Sequence, residues 1–221
     1  MDALCVTIRA YTASFRPPGM SAGYHPTLPL PPLSTVYGLI AAAVGRDVDP
    51  SRVWLGYRFC SEAKARDMEK IILFSEKGAT WDAKTGQISS MPIQREFLVN
   101  PVLRVYVPPL EELWQAFRCP RFPLVLGRSQ DVAYVDRIER VELEPTTEGE
   151  AEGILLPFPC PGVGSLVYNL PTFLPTHPPR RPLAVKPFQM VVRRQPVRYE
   201  GGLLYRVHDM VVPIYTIERL R

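Results

Sequence analysis

A chain of 221 residues with 46% apolar content is long enough to close a sizeable core, so a disordered or purely fibrous protein is excluded. The formal charge of +4 is modest and does not by itself announce a nucleic-acid partner. No run of about 18 uncharged apolar residues marks a membrane span.

The basic residues say more than their sum. Of 26, five are lysines and 21 are arginines, whose planar forks suit phosphates and stack on bases; a GC-rich genome also yields arginine. The 25 prolines, about 11% of the chain and double ordinary usage, predict few helices and many fixed extended connections. Cys5, Cys60, Cys119 and Cys160 form no CxxC pair, which argues against zinc and a disulfide framework and predicts buried thiols.

The N-terminus has an acid at position 2 and Arg9 in its apolar run, which does not fit a secretory signal and predicts a cytoplasmic protein. "LCVTIRAYTA" alternates apolar and polar residues and predicts the first strand. A Gly/Pro-rich loop with Phe15, Arg16, Tyr24 and His25 then passes through a proline run into "LSTVYGLIAAAVG". That stretch predicts a helix with Ser34 as N-cap and Gly45 as C-cap. No Glu completes a capping box, so the first-turn amides remain available to an anion.

"SRVWLGYRFCSEA" and "DMEKIILFSEKG" predict two further strands, and "EKGATWDAKTGQISSMPIQRE" a long polar hairpin. "FLVNPVLRVYV" predicts a strand and "PPLEELWQAFR" a helix. "LVLGRSQDVAYVDRIERVEL" predicts strand, Gly-Arg turn and strand. The order strand, helix, strand, strand, helix, strand is that of the split β-α-β unit of the ferredoxin-like α+β fold, shared by RNA-recognition domains. Composition shifts near Thr146, which divides the chain into residues 1–145 and a smaller β-rich region, 146–221, with residues 171–187 as an ordered wrap.

Three histidines, His25, His177 and His208, share no metal-ligand spacing, and "GVGSL" has the wrong register for a nucleophile elbow. Aromatic faces, guanidinium groups and glycine at Phe15–Arg16, Tyr24–His25 and "LGRSQD" are instead the set that grips single-stranded RNA. Each reads equally as something ordinary: Phe15 as core, Arg16 as a solvated charge, Gly127–Arg128 as a turn.

"SFRPP", "PLPPLSTVYGLIAAAVG", "QREFLVNPVLRVYV" and "PLVLGRSQDVAYV", in that order, resemble the fifth family of CRISPR-associated (Cas) proteins over roughly residues 1–145. The layout is most similar to type I-B or I-A variants. The resemblance implies a ferredoxin-like (RRM-like) βαββαβ domain of the RAMP superfamily with a thumb hairpin at about 76–95. It also implies a non-catalytic subunit of a type I Cascade, without cofactors or metal. That subunit binds the crRNA 5′ handle, caps the backbone filament, contacts backbone and large subunits, and meets target DNA through the complex. The RNA-binding residues it implies are Ser14, Phe15, Arg16, Tyr24, His25, Ser34, Thr35, Gly38, Lys77, Trp81, Lys84, Arg95, Gly127, Arg128 and Ser129.

Two other readings stay open. One branch of that family cuts precursor RNA without metal, using Tyr, His and Lys with the last two adjacent; this chain has no Lys-His pair, and Tyr24 with His25 keeps a repeat-RNA endoribonuclease in view. The other is a general single-stranded RNA-binding module.

Overall fold

The computed structural model describes residues 1–18, 23–72, 74–75, 78–79, 81–82, 87–88 and 90–220, with backbone alone at 71, 74–75, 78–79, 81–82, 87–88 and 91. Its elements are β1 (Asp2–Ala10), α1 (Leu33–Val44), β2 (Gly56–Cys60), β3 (Ala63–Ile72), β4 (Ser90–Val99), β5 (Val102–Val107), α2 (Glu111–Arg118), β6 (Leu124–Val125) and β7 (Val132–Glu142). Five of the strands form one sheet in the order β6-β7-β1-β5-β2, with every neighbouring pair antiparallel. β1 is therefore central, which explains its near-continuous burial.

Alternation along β1 assigns the two faces. Val6, Ile8 and Ala10 meet Leu39 and Ile40 of α1 and Leu113 and Phe117 of α2 in one core. Ala3 and Cys5, with Tyr106 of β5, point the other way into a second core. That second face is covered by the C-terminal region, through Ile154, Leu156, Val191 and Val212. The same region sends Leu155, Phe188 and Tyr215 into the first core, so its strands seal both. Each such apolar side chain contributes about 1.5–3 kcal/mol on burial.

α1 begins earlier than its sequence predicts. Pro32 occupies the N-cap with extended backbone and no side-chain cap, while Ser34 is buried inside the first turn. The physical cause is Leu33, fully buried, which anchors the helix start in the core; Pro32 has no amide to lose there. Gly45 caps the other end at φ 87°.

The polar hairpin is longer than the sequence predicts. β3 and β4 pair antiparallel from Ala63–Val99 to Ile72–Ser90, so the hairpin begins well before residue 76 and ends four residues after 95. Tyr24–His25 adds parallel to β4, and Thr12–Ala13 adds antiparallel near its end. Lys77 and Lys84 lie outside the described residues, and Trp81 is described by its backbone alone. Of the cysteines, Cys5 and Cys160 are buried, but Cys60 and Cys119 are exposed, contrary to the expectation for all four.

The remaining chain is built of strands. β8 (Glu148–Ala151) pairs β12 (Gln195–Arg198); β9 (Ile154–Pro157) and β10 (Leu166–Pro171) flank β11 (Val185–Val191); β13 (Leu204–Val207) pairs β14 (Met210–Pro213). The proline-rich stretch between β10 and β11 is tied across itself by Thr172 N–H to Ala184 O and Leu183 N–H to Phe173 O, and Phe173 packs edge-on against Tyr37.

Candidate RNA-binding cleft

A cleft of about 460 Å³ opens where the loop after β1, the outer side of α1, β4 and the β6–β7 turn converge. Ser14, Phe15, Arg16, Thr35, Gly38, Arg95, Gly127 and Arg128 line it, with Leu39, Ala42 and Val125. Eight of the fifteen residues expected from the sequence thus meet in one place, although they come from four separate segments.

The floor is fixed by backbone contact. Gly127 has φ +120°, and a Cβ there would lie 1.9 Å from the carbonyl oxygen of Ser14. Only glycine permits that approach. Ser14 N–H donates to Leu126 O at 3.0 Å, locking the turn to the loop. Gly38 differs: a Cβ there would meet nothing within 4 Å, so its small size leaves the cleft open rather than relieving a clash inside the protein.

Arg128 is held rather than loose. Asp131, 0% exposed, accepts from the Arg128 backbone N–H at 3.0 Å, from Nε at 2.9 Å and from Nη2 at 2.8 Å, and also from the Thr12 hydroxyl at 2.6 Å. Arg128 Nη1 donates to Glu69 of β3, and the guanidinium stacks over Phe97 at 5.7 Å. Hydrogen bonding to Asp131 raises the Arg128 pKa despite burial, so its charge is permanent. Arg95 Nε lies 2.8 Å from the other oxygen of Glu69, held by charge rather than by an aligned hydrogen bond. One carboxylate on β3 therefore holds Arg95 of the facing hairpin arm and ties Arg128 to that hairpin.

A second carboxylate organises the loop. Glu96, 5% exposed, accepts from the Tyr24 hydroxyl, from Lys64 Nζ at 3.1 Å and from the Thr27 amide at 3.2 Å, and its main-chain oxygen accepts from the Ser14 hydroxyl at 3.1 Å. Burial pushes the Glu96 pKa up, but these donors outweigh it and hold the carboxyl below its ordinary range.

Other expected residues take different places. Phe15 is core on most of its surface, edge-on to Phe59 at 5.3 Å, with its amide donating to the Thr27 hydroxyl at 2.8 Å. It touches the cleft without offering a stacking face. The Tyr24 ring carries Arg66 at 5.5 Å, and its hydroxyl pKa is raised by the bond to Glu96. His25 is 7% exposed, with neither ring nitrogen hydrogen-bonded among the described residues. Burial, then Arg95 and Arg16, lower its pKa. Tyr24, His25 and Ser34 lie outside the cleft lining, and Ser129 is exposed on the turn beside it.

Sequence reasoning did not reach Glu69, Glu96 or Asp131. A signal existed for one of them: Arg128 and Asp131 stand three apart in a Gly-led turn, the spacing of a self-paired loop.

In class, this is a mixed α+β protein, rich in strands and poor in helices, with an arginine-lined cleft at the junction of a loop, a helix and a hairpin. The CRISPR-associated protein (Cas_Cas5) family model matches residues 3–157, and the chain belongs to that family. No curated protein matches its sequence at a significant level. In fold it is similar to a chain of a CRISPR RNA-guided surveillance complex, with TM-score 0.58 and 20% identity over 89% of this chain and 90% of that one. It is also similar to a CRISPR protein from Archaeoglobus fulgidus, with TM-score 0.51 and 11% identity over 98% and 100% of the two chains. No described helix is long and apolar enough to cross a membrane.

Proposed function

We propose that this chain is a non-catalytic, cytoplasmic subunit of a Cascade-type CRISPR surveillance complex, binding the 5′ handle of crRNA and capping the backbone filament. The observation that carries the reading is the cleft: Gly38 leaves room for a strand, Gly127 lets the turn close onto the loop to form the floor, and Arg16, Arg95 and Arg128 supply charge to its phosphates. The order β7-β1-β5-β2, all antiparallel, with α1 and α2 against one face, supports reading the sheet as a ferredoxin-like (RRM-like) unit. The β3–β4 hairpin serves as the thumb toward the neighbouring backbone subunit. The large subunit and target DNA meet it through the complex, in a type I-B or I-A arrangement.

The non-catalytic reading draws on Tyr24 and His25. A general base must reach the proton it takes, yet the Tyr24 hydroxyl is engaged by Glu96 and the His25 ring is enclosed beside two cations.

The test is anisotropy with labelled repeat-handle RNA and a scrambled competitor. Arg16→Ala should weaken handle binding about tenfold and reduce its salt dependence, as expected for a charged contact of about 1.5–3 kcal/mol. The RNA should remain intact throughout. Wild-type affinity in the variant, equal competition by scrambled RNA, or site-specific cleavage would overturn the proposal.

A further inference from the structure

The helix-free face of the central sheet carries a second groove. β1 sends Val6, Ile8 and Ala10 toward the helices, so Thr7 and Arg9 face away from them. Arg9 stands directly opposite Tyr134 of β7 on one side and Val102 of β5 on the other, and Val102 stands opposite Cys60 of β2. One step along, Thr7 is opposite Arg104, and Arg104 opposite Arg58. The C-terminal region covers this face at Ala3, Cys5 and Tyr106 and reaches the edge of the second row, where Arg58 Nε donates to Glu152 O at 3.4 Å.

A depression of about 330 Å³ is lined by Arg9, Tyr11, Val102 and Tyr134 among others. Another, of about 140 Å³, is lined by Arg58, Arg104 and Glu152. Both include Cys60 and Val102, so the two adjoin along one groove-like face. Its aromatic rings are open to solvent: Tyr11 is 83% exposed and Tyr134 53%.

Arg9 is paired with Asp136 at 2.9 Å and Glu62 lines the groove near it, so the less compensated charges lie in the row of Arg104 and Arg58. Like charges directly opposed on neighbouring strands repel. Arg58 Nε donates to Glu152 O at 3.4 Å and its Nη2 lies 3.8 Å from the Glu152 carboxylate, whereas Arg104 has no carboxylate within salt-bridge distance among the described residues. An anion lying across Arg104 and Arg58 removes that repulsion. The next same-face position along the strands, about 7 Å away, is the row of Arg9 and Tyr134.

We infer that this groove is a second binding track for single-stranded RNA, with a phosphate across Arg104 and Arg58 and a base stacked on Tyr134 and Tyr11. The inference rests on the RNA-binding reading of the first cleft and extends it. Two chain segments connect the sites: Arg9 and Tyr11 lead into Ser14–Arg16, and the Gly127–Arg128 turn leads into Tyr134. An acidic peptide would answer the arginines but would leave two flat exposed rings unused, whereas bases use both.

The experiment is anisotropy of the intact protein with an oligouridylate of about twelve nucleotides, together with thiouridine photo-crosslinking mapped to residues. Tyr134→Ala should weaken binding about tenfold and Tyr134→Phe should restore it, because the ring supplies the contact. Arg104→Ala should lower the salt slope by about one. Crosslinks should fall on Tyr11 or Tyr134. Wild-type affinity in both variants with no crosslinks on this face overturns the inference. So does displacement of RNA by oligoglutamate at equal concentration with no rescue by Tyr134→Phe, which marks an acidic-peptide site. Arg16→Ala separates the readings: if it alone weakens binding, the second track fails and the first cleft stands; if only Tyr134→Ala and Arg104→Ala do, the reverse holds.

Discussion

Arginines line both the cleft and the groove on the sheet face, but the two regions treat them differently. In the cleft, Arg128 is 13% exposed and clasped by Asp131, Glu69 and the face of Phe97. On the helix-free sheet face, Arg104 and Arg58 sit side by side, and Glu152, 3.8 Å from Arg58, is the one carboxylate that a described salt bridge brings to the pair. A guanidinium fixed by buried carboxylates has lost its rotamer freedom during folding and acts as framework, giving a ligand a preorganised wall. A guanidinium left among like charges contributes little to the fold and leaves its charge for a ligand. Residue type alone does not separate these roles; the surrounding carboxylates do.

The sharpest way to break this contrast is to remove the carboxylate. Asp131→Ala leaves Arg128 half-compensated and strands the Thr12 hydroxyl, so unfolding free energy should fall by about 3 kcal/mol. Arg104→Ala, by comparison, should leave stability within about 0.5 kcal/mol of wild type. Urea melts of both variants decide it, and equal losses would mean that the two regions are alike. Next in size is Gly127→Ala. Its Cβ would be driven onto the Ser14 carbonyl at a positive φ, so the turn must retreat from the loop at a cost of about 2 kcal/mol, with handle binding weakened alongside. A melt and a binding curve matching wild type would show that the floor is not fixed by this contact.

Much of this was legible in the chain itself. β1 shows its alternation, α2 its helical spacing after prolines, and the glycines and arginines at 16, 38 and 127–128 mark where backbone and charge gather. The hairpin arms were harder to read, because Lys64, Arg66, Met68 and Lys70 alternate with residues that face no core. A strand without a buried face carries no apolar period. The carboxylates Glu69 and Glu96 were illegible for another reason: each acts on arginines, lysines or tyrosines tens of residues away, through pairing that only the folded sheet supplies. The burial of His25 was illegible because an aromatic in a loop reads as exposed until its neighbours are known, and for the same reason Phe15 kept both a core and a binding reading.

The smallest expected effect concerns His25, where framework and ligand meet. Its ring is enclosed next to Arg95 and Arg16, with Glu69 the opposing charge, and the net result is a lowered pKa. The unfolded chain, with an ordinary histidine pKa of about 6.5, therefore binds a proton more readily than the folded one. The stability that neutral His25 contributes is fully present above about pH 6.5 and is lost as pH falls through the depressed folded value. His25→Phe keeps a ring of similar shape and removes the titration. It should match wild type or exceed it slightly at pH 7.5, and the gap should widen as pH falls toward 5, by less than either variant above. RNA sharpens the prediction, because phosphates beside Arg16 and Arg95 screen the two cations and let His25 hold its proton at higher pH. With only three histidines in the chain, proton NMR can follow each ring. The His25 ring should titrate below 6.5 in the protein alone and move upward on adding handle RNA. A free-protein value at or above 6.5, or no movement with saturating RNA, would mean that the enclosed ring does not sense the cleft and that its arginines face something other than phosphate.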